Sequence, residues 1–254
     1  MKQTLFITVR YSSSRLPGKC LLQLGDFSVL GHCIARSRAA GFNVIVCTGT
    51  DSADIEIVKE SVKYNSEVFR GNSLNKILRW SSCFENFSLD YCHIIDGDDP
   101  YFDPLEINRS LDTLVTKNLD LVRTSFRSDS GFASVGLSVS AKFMKILAKR
   151  SLTLKSQNLD VIPWNALLSD SDKWEFLPDN YLTKNKLTQL RLTLDYPEDL
   201  HLLQRVAENF KFSASRIDIE EFLLDNPDIL KVNFMRNEDF KQNKRVQLAE
   251  HFND

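Results

Sequence analysis

Apolar residues follow two alternating rhythms along this chain. Short runs that are apolar at nearly every position, such as 5–9 and 44–47, give way to longer stretches with apolar residues three and four apart. The first rhythm is that of strands buried on both faces, the second that of amphipathic helices. Strands are predicted at 5–9, 44–47, 68–69, 91–95 and 119–124, with helices at 29–40, 51–64, 73–87 and 104–116 between them. The first helix turns Leu30, Cys33, Ile34 and Ser37 to one side. Regular alternation of strand and helix predicts an α/β fold, a mostly parallel sheet covered by helices on both faces. Ligands of such sheets sit beyond the carboxyl ends of the strands.

The pattern then loosens. Residues 131–140 have strand character and 141–150 read as a helix, while 151–186 are polar and mixed. The segment 125–186 reads as an insertion for acceptor or dimer contacts. A returning strand is predicted at 187–194. A helix at 198–210 follows Pro197, with Leu200, Leu203, Val206, Ala207 and Phe210 inward, and a further helix covers 218–224. The tail at 237–254 is highly charged and reads as loose or packed on a partner. With no repeat or Gly/Ser-rich linker, one domain over residues 1–254 is the expectation.

Charge and cysteine content narrow the classes. With 32 basic and 34 acidic residues the net charge is −2, without the basic excess of a general nucleic-acid binder. Five cysteines in no C-x-x-C pair argue against a zinc ribbon or a secreted disulfide framework, and for free, mostly buried thiols. No apolar run has the length of a transmembrane helix or a signal h-region, so no membrane insertion and a cytoplasmic location are expected. The four histidines are scattered without H-x-x-x-H spacing, and no G-x-S-x-G elbow is present.

Candidate chemistry begins immediately after the first strand. Arg10-Tyr11-Ser12-Ser13-Ser14-Arg15-Leu16-Pro17-Gly18-Lys19 gathers three strong cations and three serines into ten residues. Guanidinium forks and an ammonium suit phosphate oxygens, small serines let backbone N–H groups face an anion, and Pro17-Gly18 is a turn that returns Lys19 over the loop. The spacing is neither a Walker A loop nor G-x-G-x-x-G. Two carboxylate motifs follow strands. Ile95-Asp96-Gly97-Asp98-Asp99-Pro100 offers hard oxygen ligands suited to Mg²⁺, or simply an acidic turn. Asp195, in Arg191-Leu192-Thr193-Leu194-Asp195-Tyr196-Pro197-Glu198-Asp199, is a second such carboxylate or a helix cap, and Glu198 and Asp199 fit the first helical turn.

These three stretches resemble the sugar-acid cytidylyltransferases, the enzymes that make CMP-Kdo and CMP-sialic acid, and most of all the spore-coat-polysaccharide branch of that family. The resemblance spans about 5–206 and implies a three-layer α/β/α nucleotide-diphospho-sugar-transferase-like (Rossmann-like) fold. It implies that Arg10, Arg15, Gly18 and Lys19, with Ser12, Ser13 and Ser14, wrap the triphosphate of CTP. It implies that Asp98 and Asp195 hold Mg²⁺, that Asp96, Gly97 and Arg70 contact nucleotide, and that Arg79, like Arg70, contacts nucleotide or acceptor charge. Arg10, Lys19, Asp98 and Asp195 are then the catalytic set. CMP passes from CTP to an anionic small-molecule acceptor, a sugar acid or a phosphonate or phosphorylated compound, for surface-polysaccharide assembly, and a homodimer is expected.

The chain departs from the family at two positions. Asn75 stands where the branch has Asp, and Asp96 where relatives often have an uncharged polar residue. Two other classes stay open: a non-catalytic nucleotide-binding member, and a glycosyltransferase, whose D-x-D pattern Asp96-Gly97-Asp98 formally fits.

Overall fold

A computed structural model of the chain describes residues 3–13, 15–123, 136–177 and 190–251. Strand β1 (Thr4–Thr8) leads into a loop and a short hairpin, β2 (Gln23–Leu24) with β3 (Phe27–Ser28), and then helix α1 (Val29–Ala39). β4 (Asn43–Gly49), α2 (Ile55–Lys63), β5 (Glu67–Gly71), α3 (Lys76–Asn86), β6 (Tyr91–Asp96) and α4 (Pro104–Thr116) alternate. The second half holds β7 (Leu121–Arg123), β8 (Leu137–Ser140), α5 (Ala141–Ser151), the single turn α6 (Trp164–Leu167) and β9 (Trp174–Phe176). It continues with α7 (Pro197–Asn209), α8 (Arg216–Asp225), α9 (Pro227–Leu230) and α10 (Arg236–Ala249).

Seven strands form one sheet in the order β5-β4-β1-β6-β8-β7-β9. The first four are parallel, β8 runs antiparallel to both β6 and β7, and β9 is parallel to β7. Alternate residues of β1 feed opposite faces. Phe6 joins Ile45, Ile94, Trp80 and Phe143 under α3 and α5. Leu5 and Ile7 join Val44, Val46, Ile34 and Ile107 under α1 and α4. This is the three-layer α/β/α architecture, and Leu30, Cys33, Ile34 and Ser37 of α1 are all buried. A third cluster packs Leu190, Leu192 and Leu194 against Leu202, Leu203 and Val206 of α7 and Ile219 and Leu223 of α8.

Helix starts are fixed by short polar side chains. Ser28 Oγ accepts from Gly31 N at 2.9 Å, Asp103 Oδ1 from Leu105 N at 2.9 Å, and Ser140 Oγ from Phe143 N at 3.2 Å. Each satisfies a backbone N–H that the helix itself cannot.

Several expectations change. Residues 190–194 are not a strand; Leu190, Leu192 and Leu194 pack on α7 and α8, and Leu194 N donates to Asp98 O at 2.8 Å. Residues 187–189 of that expected strand lie outside the described set, as do 131–135 of the expected strand region and Thr124. The segment read as an insertion supplies sheet strands β8 and β9, with β8 between β6 and β7. The described part of the tail packs on its own chain: residues 236–249 form α10, Asn237 and His251 are buried, and Arg236 pairs with Glu198 at the start of α7. On α7, Leu202 also faces the core, and Leu200, Ala207 and Phe210 are half-buried.

Candidate functional site

The parallel strands aim their carboxyl ends at a cavity of about 500 Å³. The loop after β1 forms its nearest wall. Gly18, at a φ of +67° that favours glycine, donates its N–H to Tyr11 O at 3.0 Å and so closes the loop into a ring. Asp54, buried before α2, fixes the ring's other side by accepting from Tyr11 N at 2.7 Å. The turn returns Lys19 inward, where its side chain is buried. Ser12, Ser13, Arg10 and Arg15 line the cavity; Ser14 is outside the described residues, and Gly18 shapes the turn without lining it.

Two carboxylates converge on Lys19. Its Nζ donates to Asp98 Oδ2 and, at 2.9 Å, to Asp195 Oδ1. Arg15 Nη2 donates to the same Asp195 oxygen. Asp98 follows β6, and Gly97 is squeezed against β1: its N–H donates to Thr8 O at 2.9 Å, and a Cβ there would stand 3.0 Å from Val9 Cβ. The Leu194–Asp98 backbone bond brings the two motifs into register.

A frame behind Asp195 holds it. Asp199 accepts from Asp195 N at 2.9 Å and Tyr196 N at 3.0 Å, and takes a two-pronged contact from buried Arg191, 3.0 Å from each oxygen. Asn233 Nδ2 donates to Asp199 Oδ1 at 2.8 Å. Capping of α7 thus falls to Asp199, which leaves Asp195 facing the cavity. Glu198 pairs instead with Arg236 of α10.

The electrostatics follow from this packing. Burial opposes the charge on Asp195, yet Lys19 and Arg15 outweigh it and hold the carboxyl well below the usual range. Burial likewise opposes the Lys19 charge, and Asp98 and Asp195 more than offset it, so the ammonium is held charged. Asp96, at the end of β6 and on the cavity wall, is pushed up by burial against the pull of Lys76.

The remaining predicted residues divide. Arg10 lines the cavity, with Nη1 donating to Ser73 O and Nη2 to Asp160. Arg70 does not line it; its side chain holds Gly49 O at 3.1 Å and Asp51 O at 2.9 Å beyond β4. Buried Arg79 does line it, gripping Asn72 O at 2.8 Å and Thr8 Oγ1 at 3.2 Å. Asn75 caps α3 through its Oδ1, 3.1 Å from both Ile77 N and Leu78 N. Its Nδ2 donates to Ser151 Oγ at 3.1 Å and Gln157 Oε1 at 3.3 Å. That second role needs an amide and accounts for Asn in place of Asp.

Sequence reasoning gave the segment 125–186 an acceptor role but named none of the residues of the far wall. Lys76, Asp160, Trp164 and Asn165 line the cavity, as does Arg123, whose guanidinium stands 4.6 Å from the Trp164 ring centre and 5.2 Å from that of Phe176. Phe240, Lys244, Gln247 and Leu248 of α10 complete it. Their spacing puts them on one helix face, a signal present in the sequence but too polar to read as a buried stripe. All five cysteines are free and buried, and His93 Nδ1 is 2.8 Å from Ser138 Oγ inside the sheet.

Among the described residues no three His, Cys, Asp or Glu side chains gather as a metal cage. Two carboxylates within reach of one cation suit Mg²⁺, which keeps several waters and takes its other ligands from phosphates. Asp98 and Asp195 fit that description, since a single ammonium already contacts both.

The family model for cytidylyltransferases matches residues 4–217. An uncharacterized protein of Methanocaldococcus jannaschii is 28% identical over 239 residues, 92% of this chain and 95% of that one. A 3-deoxy-manno-octulosonate cytidylyltransferase of Cytophaga hutchinsonii is 23% identical over 89% of this chain and 94% of its own. A solved cytidylyltransferase of Leptospira borgpetersenii superimposes with a TM-score of 0.79 at 23% identity, over 91% of this chain and 97% of that one. With the site loop, both carboxylate motifs and the sheet that joins them inside the matched span, the chain belongs to the cytidylyltransferase family.

Proposed function

We propose that the protein transfers CMP from CTP to an anionic small-molecule acceptor and releases pyrophosphate. The observation that carries this reading is the convergence of Lys19, Arg15, Asp98 and Asp195 at the carboxyl ends of β1 and β6. An acceptor oxygen attacks the α-phosphorus of CTP, the bond to the bridging oxygen of the pyrophosphate breaks, and the acceptor's proton leaves to solvent. Such a displacement gains most from positioning and charge neutralisation. Arg10, Arg15 and Lys19 neutralise the departing pyrophosphate, while Ser12, Ser13, Ser14 and the backbone of the loop orient the triphosphate. Asp96, Gly97 and Arg79 face the nucleoside. Asp98 and Asp195 would hold Mg²⁺, which when bound supplies Lewis-acid polarisation of the α-phosphate.

The acceptor occupies the wall of Arg123, Trp164, Asn165, Lys244 and Gln247. A carboxylate or phosphate group on the acceptor matches its two cations. Sugar acids of the Kdo or sialic type, phosphonates and phosphorylated small molecules all meet that description. The name of the Cytophaga hutchinsonii relative supports a sugar acid; a role in surface-polysaccharide assembly, in the cytoplasm, is part of the same proposal. The test is pyrophosphate release with Mg²⁺ across four nucleoside triphosphates and a panel of such acceptors. Release requiring CTP and one acceptor supports the proposal; release from another triphosphate overturns the base assignment; nucleotide binding with no release on any acceptor favours a non-catalytic member.

A further inference from the structure

Arg10 sits at a junction of three chain segments. Its Nη1 donates to Ser73 O in the turn before α3, and its Nη2 pairs with Asp160 in the connection between α5 and α6. The same turn and connection are tied a second time by Leu159 N, which donates to Leu74 O at 3.0 Å, and by Asn75 with Gln157 at 3.3 Å. Both terminal nitrogens of Arg10 are therefore engaged before any triphosphate arrives. Asp160 is 45% exposed against 13% for Arg10, so the carboxylate is the member of the pair able to leave. The residues after it, Val161 to Asn165, form the acceptor wall of the cavity.

We propose that Asp160 is a positioning residue: its carboxylate holds Arg10 in the nucleotide-free chain, and the triphosphate of CTP takes Arg10 over and expels it. The proposal rests on the reading of Arg10 as a phosphate ligand. A triphosphate and a carboxylate repel at one guanidinium, so the two occupancies exclude each other. When Asp160 departs, the chain on its far side pivots about the Leu159–Leu74 tether and reshapes the wall at 161–165. Nucleotide thus binds first, and the acceptor pocket takes its working form only afterwards. Asp160 couples the two halves without touching either substrate in the reacting complex.

The experiment is calorimetric titration of the full chain with CTP and Mg²⁺. Asp160→Asn removes the competitor and tightens CTP binding about 2- to 5-fold, the range of a partly exposed ion pair. Arg10→Ala weakens binding, and adding Asp160→Asn to it has no further effect, which is the signature of a coupled pair. Asp160→Glu keeps the wild-type affinity. Hydrogen exchange at 161–165 rises with CTP in the wild type and is already raised in Asp160→Asn without it. Weaker CTP binding in Asp160→Asn, the same shift in both backgrounds, or exchange at 161–165 that ignores CTP would each overturn the proposal. Absence of CTP binding by the wild-type chain is a different result: it overturns the nucleotide reading itself, and the role of Asp160 with it.

Discussion

The carboxylates of Asp98 and Asp195 meet at one ammonium, Lys19 Nζ, which lies 2.9 Å from Asp195 Oδ1 and also bonds Asp98 Oδ2. Without a cation between them the buried Asp195 and the half-buried Asp98 repel, so on the proposed reading Lys19 and Mg²⁺ would serve the same pair. In Lys19→Met Asp98 loses this cation while Asp195 keeps Arg15 and Arg191, and the metal-free chain loses about 1–3 kcal/mol of stability. Added Mg²⁺ should then raise the melting temperature of Lys19→Met more than that of the wild type. Equal shifts in a thermal melt would remove Asp98 and Asp195 as a shared cation site.

Substituting either acid with its amide keeps the shape and removes the charge. Asp98→Asn and Asp195→Asn should each lower pyrophosphate release by about 10²- to 10³-fold, the range for losing one preorganised electrostatic contact. CTP binding should partly survive, because the loop cations remain. Full activity in either variant is incompatible with the roles given above.

His32 links pH to stability. It is buried in α1 with its ring 4.8 Å from that of Tyr101, and burial, with Arg36 adding to it, pushes its pKa down to about 3. The unfolded histidine titrates near about 6.5, so on acidification the unfolded chain takes a proton that the native one refuses. This contribution is constant above the unfolded pKa, and stability falls as the pH drops from there toward 3, by up to about 1.4 kcal/mol per pH unit. His32→Phe keeps an aromatic ring and removes the proton. Urea unfolding at about pH 7 and about pH 5 should show a smaller acid loss in that variant; identical losses would refute the assignment.

Asn75→Asp restores the residue of the resembling family yet should destabilise this chain. The helix cap persists, but the donations to Ser151 and Gln157 are lost and a carboxylate faces the Gln157 carbonyl. A loss of about 1–2 kcal/mol is expected from denaturant titration. A neutral or stabilising result would show that the cap alone decides this position.

The α10 wall predicts a split between the two substrates. Lys244→Ala and Gln247→Ala should raise the acceptor KM about tenfold, one charged contact's worth, with CTP affinity unchanged. Steady-state kinetics with the acceptor identified by the panel, alongside CTP calorimetry, make the check. Weakened CTP binding would place α10 on the nucleotide instead.

Much of this was legible because it is local. Lys19 and Asp98 follow strands, Asp195 precedes a helix, and each lies inside a short contiguous motif, while buried parallel strands announce themselves as apolar runs. What was illegible depends on distant chain. Leu190, Leu192 and Leu194 alternate as a strand would, but they find α7 and α8 rather than a strand partner. Helix α10 docks through Arg236 on Glu198 and Asn243 on the Tyr196 hydroxyl at 3.0 Å, so its inner face carries no apolar stripe. Asp160 becomes informative only once the fold sets it beside Arg10.

The antiparallel strand β8 has a consequence for how this scaffold diversifies. β1, β4, β5 and β6 arrive at the cavity by their ends, in a register set by their own ladders, whereas β8 departs from it at Gly136, where an added Cβ would stand 1.9 Å from Ile94 O. Leu137, the first residue of β8, also lines the cavity, so a substitution there reaches its wall without altering the strands that lead into Lys19 and Asp98. On the proposed reading, acceptor range and nucleotide chemistry are then set by different elements of one sheet, with Gly136 as the joint between them.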